Sequence, residues 1–377
     1  METGNTSQGS PAGRLVDWLG LRLIPGVGSV IFARLVESFG EPGRALGAPL
    51  KRLQAVRGVS PDLARVIRAK QFSSDPEKEL ARLEKMGARV ITRQDPDYPP
   101  LLATIYAPPP LLFVRGSLAP GREQTVAVVG SRRTTPYGRR MAQELGRDLA
   151  RAGVSLVSGL ARGIDSIAHQ AALQAGGHTV GVVGCGLDVV YPPENAGLMK
   201  RMAEQGAVVS EFPLGTKPLA ANFPIRNRVI SGLSRAVVVV EAGLRSGSLI
   251  TARHALDQGR EVFAVPGPVG NPGSAGCHQL IRQGACLLES AQDILEPGAL
   301  PLFSPPATPA PEPAGLPPQG QKLLELIGDD PVHLDVLARQ SGFKAQEVTA
   351  LLVNLEMAGL VQQLPGKYFV RDNQVTA

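Results

Sequence analysis

TVAVVGSRRTTPYG, residues 125–138, decides the fold. Its first five residues, Thr125–Val129, are a Val-rich apolar run with the length of one buried strand. Gly130 turns the chain, Ser131, Arg132 and Arg133 follow, and Pro136 suits the first turn of a helix. A strand, a polar turn and a helix start form an anion site, because free backbone N–H groups and the helix dipole both favour negative charge. Two arginines there suit a large or polymeric phosphate. The same residues also read as an ordinary strand–helix turn with two solvated arginines. A dinucleotide fingerprint is excluded, since GxGxxG is absent.

Outward from this stretch, residues 122–297 alternate strand and helix. Strands are expected at 126–129, 155–157, 179–183, 208–210, 237–240, 262–265 and 286–288. Val runs bounded by glycine are what a parallel sheet covered on both faces requires. The fold class expected is α/β, a Rossmann-like doubly wound parallel core. Ligands of such sheets sit beyond the carboxyl ends of the strands. Those ends carry GSRR, SGLARGIDSIAHQAAL, GCGLDVVYPPEN, SEFPLGTKPLAANFPIRNRVISGL, EAGLRSGSLITARHAL and PGPVGNPGSAGCHQLI.

The whole chain has 377 residues, enough for two or three domains. Its net charge of +6 points to an acidic partner such as nucleic acid, and aromatics at 4% rule out wide stacking surfaces. Cys185, Cys277 and Cys286 make neither a disulfide framework nor a zinc pattern, so a reducing cytoplasm fits. The opening METGNTSQGSPAG lacks an apolar signal core, and no run is apolar enough to span a membrane.

Residues 1–13 read as a disordered tail and 14–80 as a helical domain. Within the latter, LIPGVGSVIFARLVESFG (23–40) and LQAVRGVSPDLARVIRAK (53–70) are similar units, each a tight turn between helices. They resemble a pair of helix-hairpin-helix motifs, whose glycine turns bring backbone N–H groups to a DNA phosphate. That resemblance marks Gly26, Gly28, Arg57 and Gly58 as auxiliary DNA contacts; Ser60 stands where the second hairpin's second glycine belongs. Residues 22–70 hold nine bases and three acids, so this segment alone carries +6. A helical packing domain without DNA binding is the competing reading.

Residues 81–121 are expected to be an extended connector, given prolines at 96, 99, 100, 108, 109 and 110. Residues 298–318 read as a Pro-rich linker and 319–377 as a winged-helix-like domain with a turn at Pro365-Gly366. Five bases against six acids between Gln321 and Arg371 favour protein contact over duplex recognition there.

The ordered set VGSR, SGLARGID, GLD..YP, SE, FP.RNR.ISGLS, EA...SGSLIT and AVPG resembles the DprA (Smf) family of bacterial DNA-processing proteins, from about residue 126 to 288. The resemblance implies single-stranded DNA as ligand, protection of incoming or exposed strands, loading of the RecA recombinase in natural transformation and recombination, and a homodimer. It implies a mediator without enzyme activity or cofactor; scattered histidines show no metal spacing, and no membrane partner is expected from a chain without a long apolar run. The expected DNA contacts are Gly130, Ser131, Arg132 and Arg133; Ser158, Gly159 and Arg162; Lys217; Phe223, Arg226, Asn227 and Arg228; and Ser246, Gly247 and Ser248, with Ser246 or Ser248 as a helix cap. Phe223 falls where the family stacks a base, and a packed core ring is its alternative. Many family members carry a lysine three residues before that aromatic; here Ala220 holds the position and Lys217 lies three earlier. If FPIRNR is helical, Arg226 and Arg228 point about 200° apart, so one of them braces the loop. Asp165 and His169, four apart, could face each other on a helix as an acid–base pair; a structural pair is the favoured reading, since no nucleophile stands beside them.

The family dimerises through positions that align with Leu256 and Ile281. Leu280 and Ile281 point about 100° apart on a helix, so one can face outward, and the outward role falls to Leu256 and Ile281; that Leu256 and Ile281 are both simply core is the other reading. The competing function is a nucleotide-processing hydrolase resembling the lysine-decarboxylase-like family. The PGGxGTxxE loop of those enzymes has no glutamate counterpart in SGSLITARHA, and Glu241 would have to substitute. A nuclease is a third reading, without a carboxylate cluster to hold its metals.

Overall fold

The computed structural model describes residues 11–118, 124–295, 318–328, 331–357, 360–364 and 366–371. Most of the expected tail (1–13), the expected linker up to residue 317, and Pro365 lie outside the described residues. The chain divides into two compact units, Met1–Phe303 and Ser304–Ala377.

The first unit opens with α1 (Pro11–Arg22), α2 (Ser29–Phe39), α3 (Pro42–Gly47), α4 (Leu50–Gln54), α5 (Pro61–Arg68) and α6 (Pro76–Lys85). The two similar sequence units become the turns before α2 and α5. Gly26 and Gly58 hold the same backbone, φ 90° and 89°, a region side chains rarely adopt, which is why both turns need glycine. Ser60 Oγ accepts from Leu63 N at 3.1 Å and caps α5, whereas Gly28 leaves α2 without a side-chain cap. Arg34 of α2 donates to Arg57 O at 2.9 Å and ties the two hairpins together.

A nine-stranded sheet follows: β1 (Ala88–Thr92), β2 (Leu111–Gly116), β3 (Thr125–Val129), β4 (Ser155–Ser158), β5 (Thr179–Val182), β6 (Ala207–Ser210), β7 (Ala236–Val239), β8 (Glu261–Ala264) and β9 (Cys286–Leu287). Its order is β1-β2-β6-β5-β4-β3-β7-β8-β9. Strands β3 to β9 are parallel, as expected from the Val runs, while β1 and β2 add an antiparallel edge. The segment expected as a connector therefore contributes two strands to the core sheet. LLFV is buried on both faces, Leu111 and Phe113 on one and Leu112 and Val114 on the other. The prolines bracket these strands instead of interrupting them, and Pro100 starts the short α7 (Pro100–Ala103).

The remaining helices are α8 (Pro136–Arg151), α9 (Ile164–Gln174), α10 (Ala196–Gln205), α11 (Asn222–Gly232), α12 (Ser248–Asp257), α13 (Ala275–Arg282) and α14 (Gln292–Leu295). Val126 and Val128 of β3 pack with α8 and α9, and Ala127 and Val129 with α11, α12 and α13. The period-two alternation of one strand thus fills both layers.

Residues 14–80, expected as a domain of their own, share a core with the sheet. Leu19, Phe32, Leu35 and Leu53 join Phe113, Met202, Val208 and Leu214 in one cluster. Each fully buried large apolar side chain contributes about 1.5–3 kcal/mol, so α1 to α6 cover one end of the sheet and cannot be removed without exposing it.

The second unit contains α15 (Pro318–Glu325), β10 (Val332–His333), α16 (Leu334–Ser341), α17 (Ala345–Met357), β11 (Val361–Leu364) and β12 (Tyr368–Arg371). Its strands pair in the order β10-β12-β11 around a core that includes Leu323, Leu337, Leu352 and Phe369. This is the expected winged helix.

Candidate nucleic-acid interface

From β3 the chain builds outward through β4, β5 and β6, then returns to lay β7 on the other side of β3. A doubly wound sheet opens its ligand crevice at this reversal, beyond the carboxyl ends of the strands. Here it is a cleft of about 610 Å³ between the GSRR loop after β3, the loop after β7 and the first turns of α11. Residues far apart in sequence meet there.

Arg132 and Arg133 are exposed on its wall. The Arg132 and Arg226 guanidinium groups lie 5.4 and 5.7 Å from the centre of the Phe223 ring, and the Tyr191 ring lies 5.7 Å from it at 38°. Phe223 is only half-buried, so it is not the packed core ring of the alternative reading. A cation held over a ring contributes about 0.5–1 kcal/mol at exposed sites, enough to orient Arg132 while its donors remain available. Arg245, which the motif reading passed over, is exposed on the same wall. Its signal was present: a cation directly before the SGS turn.

Several expected contacts are instead spent on the protein. The anion site expected at the start of α8 is filled by the chain's own carboxylate: Glu241 accepts from Thr135 N (3.0 Å) and Thr135 Oγ1 (2.7 Å). Ser131 Oγ donates to Arg133 O and accepts from Arg133 N, so it shapes the loop. Arg226, 5% exposed, donates Nη1 to Gly159 O (2.5 Å) and to Val182 O, and Nε to Asn227 Oδ1 (3.2 Å). It satisfies carbonyls at the ends of β4 and β5, which need donors where the ladders stop. A Cβ on Gly159 would lie 2.8 Å from that guanidinium, so Gly159 is glycine for Arg226.

Asp165 lies beneath, accepting from Gly159 N at 3.1 Å. Burial pushes Arg226 down to about 10, partly offset by Asp165, and pushes Asp165 up against the opposing pull of Arg226 and two backbone N–H groups. His169 does not face Asp165. Its Nδ1 is 2.6 Å from Thr179 Oγ1, and burial lowers its pKa to about 3, so it is neutral.

Arg228, across α11 from the cleft, donates to Ala107 O (2.6 Å) and pairs with Glu211. The expectation that one of the two arginines braces the loop was too modest: both are braces. Ser158 is fully buried and donates to Val128 O at 2.6 Å. Asn227 lines the cleft but is 8% exposed and donates to Gly247 O. Arg162 is exposed beside Phe223 and paired with Glu194, a surface pair that contributes little. Lys217 is exposed but does not line the cleft. Gly247, not a serine, is the N-cap of α12, and Ser246 accepts from Ser248 N at 3.4 Å. The α12 N-terminus still faces the cleft and adds positive potential.

Beside the cleft, Leu244, Leu249, Ile250 and Leu256 line a groove together with Arg245, Arg253, Gln279 and Gln283. Leu256 is 59% exposed, which overturns the reading of it as core. Leu280 faces inward, and Ile281 is half-buried against the core. Among the described residues no group of acids, histidines and cysteines could hold a metal, and no helix is long and apolar enough to cross a membrane.

Residues 89–298 match the family model of DNA recombination-mediator protein A, and residues 305–367 match that of the DprA winged helix domain. Protein Smf of Escherichia coli (strain K12) is 46% identical over 312 residues, 80% of this chain and 83% of that one. DNA processing protein DprA of Streptococcus pneumoniae is 48% identical over 201 residues, 53% of this chain and 71% of that one. The X-ray structure of DprA from Streptococcus pneumoniae matches with a TM-score of 0.64 at 37% identity, over 74% of this chain and 96% of that chain.

Proposed function

This chain belongs to the DprA/Smf family of DNA-processing proteins, and from that premise we propose that its β3–β7 cleft binds single-stranded DNA. One observation carries the reading: exposed Arg132, Arg133 and Arg245 share a cleft with the half-buried Phe223 ring. The arginines suit consecutive phosphates. A ring inside a crevice suits an unstacked base, which a duplex does not offer. Arg226, Arg228, Ser158 and Gly159 hold this surface in place.

The protein then protects exposed or incoming strands and loads RecA recombinase in natural transformation and recombination, in the cytoplasm and without membrane attachment. The exposed hairpins at Gly26, Gly28, Arg57 and Gly58 add duplex contacts. Turnover and a cofactor are not part of this reading. Glu241, the glutamate a hydrolase would need, is engaged on Thr135 at the start of α8.

Titration with single-stranded and duplex DNA over a salt series tests it. Phe223→Ala is expected to lower single-strand affinity by about 1–3 kcal/mol, the loss of one stacked base, and to leave the salt slope unchanged. Equal affinity of the wild-type chain for both DNA forms, or no effect of Phe223→Ala, would remove the single-strand reading.

A homodimer through the Leu256 groove is the accompanying proposal. It would set two cationic clefts side by side, so that one strand engages both at high effective concentration. Leu256→Glu tests this more cleanly than a change at half-buried Ile281. The expected result is a folded monomer by light scattering, with weaker binding to long strands. A wild-type chain that is already monomeric at micromolar concentration ends the idea.

A further inference from the structure

The loop from β6 to α11, residues 211–221, is gripped from the N-terminal helices. Glu211 follows β6 directly and is 5% exposed. Its carboxylate takes Arg228 of α11, whose Nη2 also lies 3.5 Å from Ser29 Oγ at the start of α2. Arg22, the last residue of α1, donates to the Glu211 backbone carbonyl at 3.1 Å. Farther along, Leu214 N donates to Glu79 Oε1 of α6 at 2.7 Å. Gly215 N donates to Asp188 Oδ1 at 2.8 Å, and Asp188 pairs with Arg82 of α6 at 3.0 Å. Two N-terminal helices, α1 and α6, therefore hold this loop, and α2 meets its partner Arg228 on α11.

We propose that Glu211 is a positioning residue for the strand-binding cleft, fixing α11 and thereby Phe223 through Arg228 and Arg22. The inference rests on the single-strand reading above. Neither Glu211, Arg22 nor Arg228 lines the cleft, so none of them acts by touching DNA there. Arg228 and Phe223 are five residues apart on one helix, about 7.5 Å along its axis, with no loop between them to absorb a shift. At the other end of α11, Asn222 Nδ2 donates to Gly184 O at 3.1 Å, next to Phe223. An apolar contact of equal volume would hold the fold at least as well as a buried ion cluster. What the cluster adds is direction, because guanidinium and carboxylate meet only in a restricted geometry.

Two variants of the full chain test this: Glu211→Gln, and Glu211→Leu combined with Arg228→Met. The second removes both charges of the Glu211–Arg228 pair, leaves Arg22 on the residue-211 carbonyl and free of the Arg228 repulsion, and is expected to keep the fold even where the first loses stability. Binding to a thymidine oligonucleotide is measured across a salt series, with thermal melting as the control for folding. Both variants are expected to bind about tenfold more weakly, the loss of one base–aromatic stack. The salt slope should be unchanged, because Arg132 and Arg133 remain. Adding Phe223→Ala to the double variant should weaken binding no further, a coupling that general destabilisation does not produce.

Unchanged affinity in the folded double variant overturns the proposal. So does the full Phe223→Ala loss in that background. A salt slope lower by about 0.7 in the double variant would put Arg228 on a phosphate and overturn it as well. Failure of the wild-type chain to bind the oligonucleotide removes the single-strand reading itself and the inference with it, and is thereby distinguishable.

Discussion

Replacing Arg132 and Arg133 together by alanine is expected to weaken single-strand binding about 100-fold. A hydrogen bond to a charged group contributes about 1.5–3 kcal/mol, and two lost phosphate contacts amount to about 3 kcal/mol or two decades. Both side chains are exposed, and neither holds an element of the fold, so melting should not change. The slope of log affinity against log salt should fall by about 1.4, because each phosphate neutralised on a single strand contributes about 0.7. The loss should be equal for all sequences, since phosphates carry no base identity. Retention of full affinity and slope in the double variant would move the binding surface away from the β3–β7 cleft.

Arg226→Ala should act in the opposite way, on the fold first. It removes the donors to Gly159 O and Val182 O and leaves the buried Asp165 carboxylate without its cation. Each buried carbonyl left without its donor costs about 1–3 kcal/mol, and the nearby buried Asp165 loses a compensating positive charge. In a unit of this size that lowers the melting temperature by on the order of 10 °C. Single-strand affinity would fall as well, because α11 carries Phe223. Melting separates the two roles. Adding Asp165→Asn should recover part of the loss, since the stranded charge is then gone. A variant that melts like wild type but shows a lower salt slope would return Arg226 to phosphate contact.

The contrast between these arginines marks where sequence reading reached its limit. GSRR and FPIRNR look equally cationic in a string of letters. The first lies in a short turn after a strand, where the Phe223 ring holds the Arg132 guanidinium by its face and leaves its donors available. The second starts a helix that crosses the ends of β4 and β5, and its arginines meet strand-end carbonyls and Glu211. Likewise, the strand–turn–helix pattern correctly located the carboxyl end of β3. It did not reveal that Glu241, from the next strand over, had already supplied the anion for α8.

The sequence by itself determined the parallel sheet, because runs such as TVAVV and AVVVV are buried on both faces and their periodicity is local. It determined the hairpin turns, because the positive φ at Gly26 and Gly58 is a property of single residues. It also located the loops that bound the cleft, because they follow the strands. Only the tertiary structure decided that residues 81–121 give two strands to the same sheet and that the N-terminal helices share its core. It likewise decided which cations face solvent and which brace the backbone. Those outcomes depend on partners about 20 to 200 residues away, and a side chain's free donors are known only once every acceptor around it is in place.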